Sequence, residues 1–171
     1  QVNLKDSTNL DGARSIIVSS DNKHVYAVAY RSGSIVHWNR DTTTGALTNQ
    51  VNLKDSTNLN GATSVTVSPE GKHVYAVAMI SNSIVHWDRD ATTGALTNQV
   101  NLIDGINLNG ARSVTVSPDN KNVYAVTDSS KSIVHWDRDT TTGALTNQVN
   151  LIDGTNLNGA GSVTVSPDGK N

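Results

Sequence analysis

The 171 residues contain no cysteine and no phenylalanine, and only three prolines, three tryptophans and four tyrosines. Without cysteine there is no disulfide framework and no thiolate chemistry, and the redox compartment stays open. Without phenylalanine the core falls to Val, Ile, Leu and Ala, accompanied by abundant Thr, Ser, Asn and Gly, a mixture that suits short strands and turns better than helices. Charge of one sign is also missing: a formal net charge of −2 gives no electrostatic footprint for nucleic acid or an anionic membrane. No apolar run approaches the roughly 18 residues of a membrane span, and no signal peptide is visible. The chain begins at Gln1 rather than Met, which reads as a processed, trimmed or excised piece of something longer.

Internal repetition dominates what is present. Residues 2–50, 51–99 and 100–148 align without a gap at a period of 49 residues, and 149–171 begin a fourth copy. Apolar residues alternate or run briefly, with none of the i, i+3, i+4 spacing of a helical repeat. The unit is all-β, and turn chemistry divides it into four strands. In the second copy the first strand is expected over 64–68, ending at Pro69, Glu70, Gly71 and Lys72, a tight turn whose third position needs positive φ. The copies place Asn22, Gly71, Asn120 and Gly169 there, the residue types that tolerate it best. The second strand is expected over 73–78, the third over 83–88 and the fourth over about 95–102, the last two joined by a turn ending in Gly45, Gly94 or Gly143. Each unit is a four-stranded antiparallel meander.

HVYAVA and SIVHW present apolar side chains on both faces of such a sheet, so both faces must be covered. Stacking like sheets around an axis does this, which is the β-propeller solution. The segments VSPDGK, HVYAVA, NSIVHWDRD and TTGAL resemble the blade pattern of the seven-bladed lactonase-type propellers, the family of bacterial 6-phosphogluconolactonases and of many repetitive surface propellers. The resemblance covers every copy and implies a ring of seven such blades. The family's usual VYVAN reads VYAVA here, and no catalytic residue of the family maps onto a position of this chain.

Near-identity of the copies argues against catalysis, because an active site needs different groups converging on one substrate. His37, His86 and His135 lie on successive blades and cannot share a metal, since packed sheets are already about 10 Å apart. Trp38, Trp87 and Trp136 are expected to pack between blades, with the histidines on the opposite sheet face. Asp88 and Asp90, like Asp137 and Asp139, precede a glycine turn at alternate positions, a faint calcium-loop pattern lacking its distal carboxylate; the plainer expectation is a polar turn, its carboxylates solvated or paired to Arg89. No cofactor or metal is expected.

The residues that break the repetition carry the remaining signal. Before the first strand the copies read Arg14, Thr63, Arg112 and Gly161. Between the second and third strands they read Tyr30 and Arg31, then Met79 and Ile80, then Asp128 with Lys131. In a propeller these two sets lie on one end near the axis, where they form a candidate surface for a glycan or protein ligand, the arginines suiting anions. The expectation is a non-enzymatic scaffold or adhesion module of the cell surface or extracellular matrix, self-associating through open blade faces. The alternative is a fragment of a lactonase-like hydrolase whose catalytic residues lie in other blades.

Overall fold

The computed structural model describes residues 4–169. Twelve strands form three four-stranded antiparallel meanders: β1 (Ala13–Val18), β2 (His24–Ala29), β3 (Ser34–Arg40) and β4 (Leu47–Lys54); β5 (Ala62–Val67), β6 (His73–Ala78), β7 (Ser83–Arg89) and β8 (Leu96–Ile103); β9 (Ala111–Val116), β10 (Asn122–Thr127), β11 (Ser132–Arg138) and β12 (Leu145–Ile152).

The turns explain why the chain reverses where it does. Asn22, Gly71, Asn120 and Gly169 all take positive φ, between 62° and 78°. In each β3–β4 type turn an aspartate side chain accepts two backbone N–H groups; Asp90 takes those of Thr92 and Thr93 at 2.8 and 2.7 Å. The links between sheets use the same device: Asp55 accepts from Thr57 and Asn58 and is itself reached by Gln99 Nε2 at 2.6 Å. Fixing the backbone with its own short acidic side chains keeps these connections from competing with the ladders.

The sheets converge at their first strands. β5 lies against both β1 and β9, while the fourth strands β4, β8 and β12 splay outward, so the three meanders radiate from the side of β1, β5 and β9. One core forms between the first two sheets, where Tyr26, Val28 and Ile35 meet Val65, Val74, Ala76, Val85 and Trp87. The next repeats it, with Tyr75, Val77 and Ile84 against Val114, Val123, Ala125, Val134 and Trp136. On β1 the corresponding position is bare: Ile16 is 65% exposed, where Val65 and Val114 are each 5%.

A polar latch crosses each blade interface. Arg89 on β7 donates from Nε to Tyr26 Oη (2.8 Å), from Nη1 to the Gly71 carbonyl (2.7 Å) and from Nη2 to Asp21 Oδ2 (2.8 Å). Tyr26 in turn donates to the Gly94 carbonyl at 2.7 Å. Arg138 repeats the pattern with Tyr75, the Asn120 carbonyl and Glu70. Arg89 therefore pairs across the interface, and the expected pairing with its own neighbours Asp88 and Asp90 does not form. Behind each latch the histidines stack on tyrosine, His37 on Tyr26 and His86 on Tyr75, with centroids 5.1 Å apart. Burial, then the adjoining His24 or His73, pushes both imidazoles down to about 4.

Gly94 and Gly143 close over these rings. A Cβ on Gly143 would stand 2.3 Å from His86 Nε2, whereas one on Gly45, in the same left-handed conformation (φ 75°), meets nothing within 4 Å. Gly45→Ala is expected to lose only the left-handed penalty, about 1–2 kcal/mol. Gly143→Ala adds a clash with an imidazole already packed on Tyr75, for a further loss of about 1–3 kcal/mol. Equal denaturation midpoints for the two variants would refute this packing.

The fourth copy departs from expectation. Residues 162–166 repeat the sequence of the first strands, but this segment forms no strand and lies beside Tyr124, Ile133 and Leu151. A first strand exists by pairing with its second, and 162–166 belong to none of the three sheets formed among the described residues. Ahead of the first blade, residues 4–6 form no strand.

Candidate functional site

At the side of convergence the first strands of all three blades come together. In all three innermost strands the ladder slips at one residue: Ala13 pairs with Ala29 and Ser15 with Val28, skipping Arg14; Ala62 and Ser64 skip Thr63; Ala111 and Ser113 skip Arg112. The residue that differs between copies is thus the unpaired residue of a β-bulge. A bulge frees a side chain from the alternation of the pleat and re-aims it, which is why such kinks gather beside active sites.

The structure brings four of the variable residues together, in two pairs. The Arg14 guanidinium lies 5.3 Å from the centroid of the Tyr30 ring. Arg112 donates from Nε and Nη2 to Asp128 Oδ2, the former at 2.6 Å. Arg31 sits 3.4 Å from Asp11. Thr63 turns inward and donates to the Ala111 carbonyl at 2.8 Å. Met79 and Ile80 follow β6 at the same end, held by the N–H of Met79 on the Gly61 carbonyl (3.0 Å), and Lys131 takes the left-handed position (φ 52°) held by Gly33 and Asn82 in the other copies. Among the described residues Arg14 has no ion pair, while Arg31 and Arg112 have one each. Asp128 is held below the usual carboxylate range: burial raises it, but hydrogen bonds from Arg112 and Ser129 outweigh that.

At the opposite end of the sheets, Asp90 and Asp139 are spent on backbone N–H groups of their own turns, and Asp88 and Asp137 accept from Asn98 and Asn147. The four aspartates do not gather into a cluster of three or more among the described residues. His73, His86 and Asp88 do.

Sequence reading located the variable residues but not the bulges, because a bulge belongs to the pairing of two strands and no residue type marks it. The one available signal was the offset between variable and fixed positions, with Ala before and Ser after the variable residue in copies one to three.

Four-stranded meanders packed face to face and converging on their first strands define a β-propeller. Residues 1–165 match the family described as Lactonase, 7-bladed beta-propeller; the chain belongs to that family. Solved structures agree on the fold. A protein provisionally called a 6-phosphogluconolactonase from Bacteroides fragilis superposes with a TM-score of 0.73 at 24% identity, over 83% of this chain and 40% of that one. The periplasmic gluconolactonase of Pseudomonas aeruginosa gives 0.74 at 19% identity, over 85% and 41%. A protein from Lactobacillus plantarum gives 0.72 at 25%, over 82% and 42%. The chain thus spans about two fifths of the length of these structures. No curated protein matches it.

Family membership overturns the expectation of a non-enzymatic scaffold or adhesion module, and with it the reading that the protein is not an enzyme. The argument from repetition holds for groups that repeat. The groups placed at the axis end are the ones that do not.

Proposed function

We propose that this chain contributes blades to a lactonase-like hydrolase acting on a sugar lactone that carries an anionic group. Arg14 is the receptor for that group, and Arg112, Asp128 and Tyr30 shape the mouth around it, with Arg31, Met79, Ile80 and Lys131 on its rim. The observation that carries this is the state of Arg14: re-aimed by a bulge, backed by the Tyr30 ring and without an acidic partner among the described residues. A cation without an acidic partner, while Arg31 and Arg112 each face an aspartate, suits phosphate or carboxylate. The substrate class follows from the relatives, whose names carry gluconolactone and its 6-phospho form. In the reaction water adds to the ring carbonyl, the ring C–O bond breaks and a hydroxy acid leaves with one proton released.

Proton release from δ-gluconolactone and its 6-phosphate, followed by pH-stat, tests the activity directly. Arg14→Ala should raise KM for the phosphorylated lactone about tenfold or more with kcat little changed, as expected for an interaction present in both ground and transition states. Release no faster than the uncatalysed rate would remove the hydrolase reading. An unchanged KM in an active variant would remove Arg14 from it.

A further inference from the structure

The second blade differs from its neighbours at the end of the sheets remote from the axis mouth. Four positions gather there: the β5–β6 turn residue, the first residue of β6, and two alternate residues of β7. In the first blade they are Asp21, His24, His37 and Asn39; in the second Glu70, His73, His86 and Asp88; in the third Asp119, Asn122, His135 and Asp137. Only the second blade has both imidazoles and the carboxylate. We propose that His73, His86 and Asp88 form a binding site for a divalent transition-metal ion of the zinc class, with Glu70 as the carboxylate that orients His73. This site is independent of the hydrolase reading.

The geometry sets this blade apart. His73 Nε2 is 3.6 Å and His86 Nε2 3.8 Å from Asp88 Oδ1, and the three ligand atoms lie within 4.8 Å of one another. A tetrahedral ion with bonds of about 2.0–2.1 Å holds its ligand atoms roughly 3.3 Å apart, so small side-chain turns complete the site. Imidazole nitrogen with carboxylate oxygen is a donor set for zinc, cobalt or nickel rather than calcium, which takes six to eight oxygens.

The second observation is an unpartnered nitrogen. His73 and His86 are 3% and 6% exposed, and His86 Nε2 has no hydrogen-bond partner. Its counterparts are both satisfied, His37 Nε2 by His24 Nδ1 at 3.1 Å and His135 Nε2 by Asn122 Nδ2 at 2.9 Å. A buried ring nitrogen without a partner is costly, and a metal ion removes that cost. A cavity of about 240 Å³ lined by Ile84, His86, Val100 and Thr142 gives access to the imidazole.

The outer groups fit as well. With Nε2 on the ion, the proton of His73 resides on Nδ1, where Glu70 Oε1, 3.3 Å away, accepts it. That is the carboxylate–histidine–metal arrangement that fixes tautomer and ring orientation. Arg138 Nη2 stands 2.5 Å from this Nδ1 and also bonds Glu70; a guanidinium only donates, so in the ion-free chain Nδ1 accepts, and loading the ion moves the His73 proton from Nε2 to Nδ1 and turns Arg138 to Glu70 alone. One guanidinium beside two carboxylates leaves the group net negative before the ion arrives.

The sister blades supply the control variants, since each substitution is a residue that another blade carries at the same place. Titration of the metal-free chain with Co2+ should give one equivalent of tetrahedral d–d absorption, displaced by Zn2+. Asp88→Asn and His73→Asn should each weaken binding by tenfold or more while the apo circular dichroism stays unchanged, and Glu70→Asp should weaken it about tenfold. Absence of tetrahedral absorption in the parent chain would overturn the site. So would binding that survives both Asp88→Asn and His73→Asn, which would place the ion elsewhere.

Discussion

Arg138→Ala will lower the stability of the chain by about 3–5 kcal/mol, because removing one partner of a buried pair leaves the other desolvated and uncompensated. The Arg138 side chain is fully buried, paired with Glu70, and donates to Tyr75 Oη at 2.7 Å and to the Asn120 carbonyl at 2.7 Å. At roughly 2–4 °C per kcal/mol for a chain of this size, the melting temperature should fall by about 10 °C. Arg40 provides the internal control. It occupies the same place in the first blade, but its side chain makes one hydrogen bond among the described residues, to the Asn22 carbonyl at 3.0 Å in an exposed setting. Arg40→Ala should therefore change stability by less than about 1 kcal/mol. Arg138→Lys should restore little, since an ammonium cannot serve tyrosine, carbonyl and carboxylate at once. Thermal denaturation of the three variants settles it: equal losses at Arg40 and Arg138 would mean that the interface latch does not hold the blades.

Acid will destabilise the fold in two stages. His37 is held at about 4 by burial first, then by His24 and Arg89, and burial likewise lowers His24. In the unfolded chain both titrate near 6.5. Between 6.5 and 4 the unfolded chain binds protons that the folded one refuses, so stability declines as pH falls through that window, by about 3 kcal/mol for His37. Below 4 the carboxylates take over. Asp104, whose burial is outweighed by hydrogen bonds from Asn107 and Gln148, is held at about 2, so its contribution is present above its unfolded value and disappears as pH falls toward 2. Urea midpoints measured from pH 8 to 3 with chelator present should show both steps. His24→Asn, the residue the third copy carries as Asn122, should reduce the first step and leave the second. A midpoint flat from pH 7 to 4 would contradict the buried neutral imidazoles.

What could be read from the sequence was what local chemistry decides. His73–Ala78 is the strand expected, because HVYAVA is flanked by a turn that needs Gly71 at positive φ and by a loop that breaks the apolar run. Trp87 packs toward the preceding blade and His86 lies on the other face, as alternation along one strand requires. What depended on another strand was not legible. The sequence neighbours of Arg89 are carboxylates, yet its partner is Asp21, 68 positions away, and only the stacking of blades brings them together. Residues 162–166 repeat a strand sequence almost letter for letter and form no strand, since propensity without a pairing partner does not make a ladder. The bulges at Arg14, Thr63 and Arg112 were visible only as differences between copies. Reasoning from the repeated residues led away from the lactonase family's chemistry; the unrepeated ones, among them Arg14 and Arg112 at those bulges, are the residues proposed for the site.

The bulges also separate two jobs that a strand residue ordinarily performs together. A residue in register must satisfy its neighbours above, below and across the interface, so changing it disturbs the wall. Arg14 and Arg112 stand outside that obligation, and exchanging them leaves the ladder pairs on either side in place, whereas Thr63 is tied to the next blade through the Ala111 carbonyl. Chemistry at the mouth can therefore be rewritten one codon per blade. A gene built from near-identical copies can change the residues displayed at that end one position at a time while the repeated packing residues stay the same.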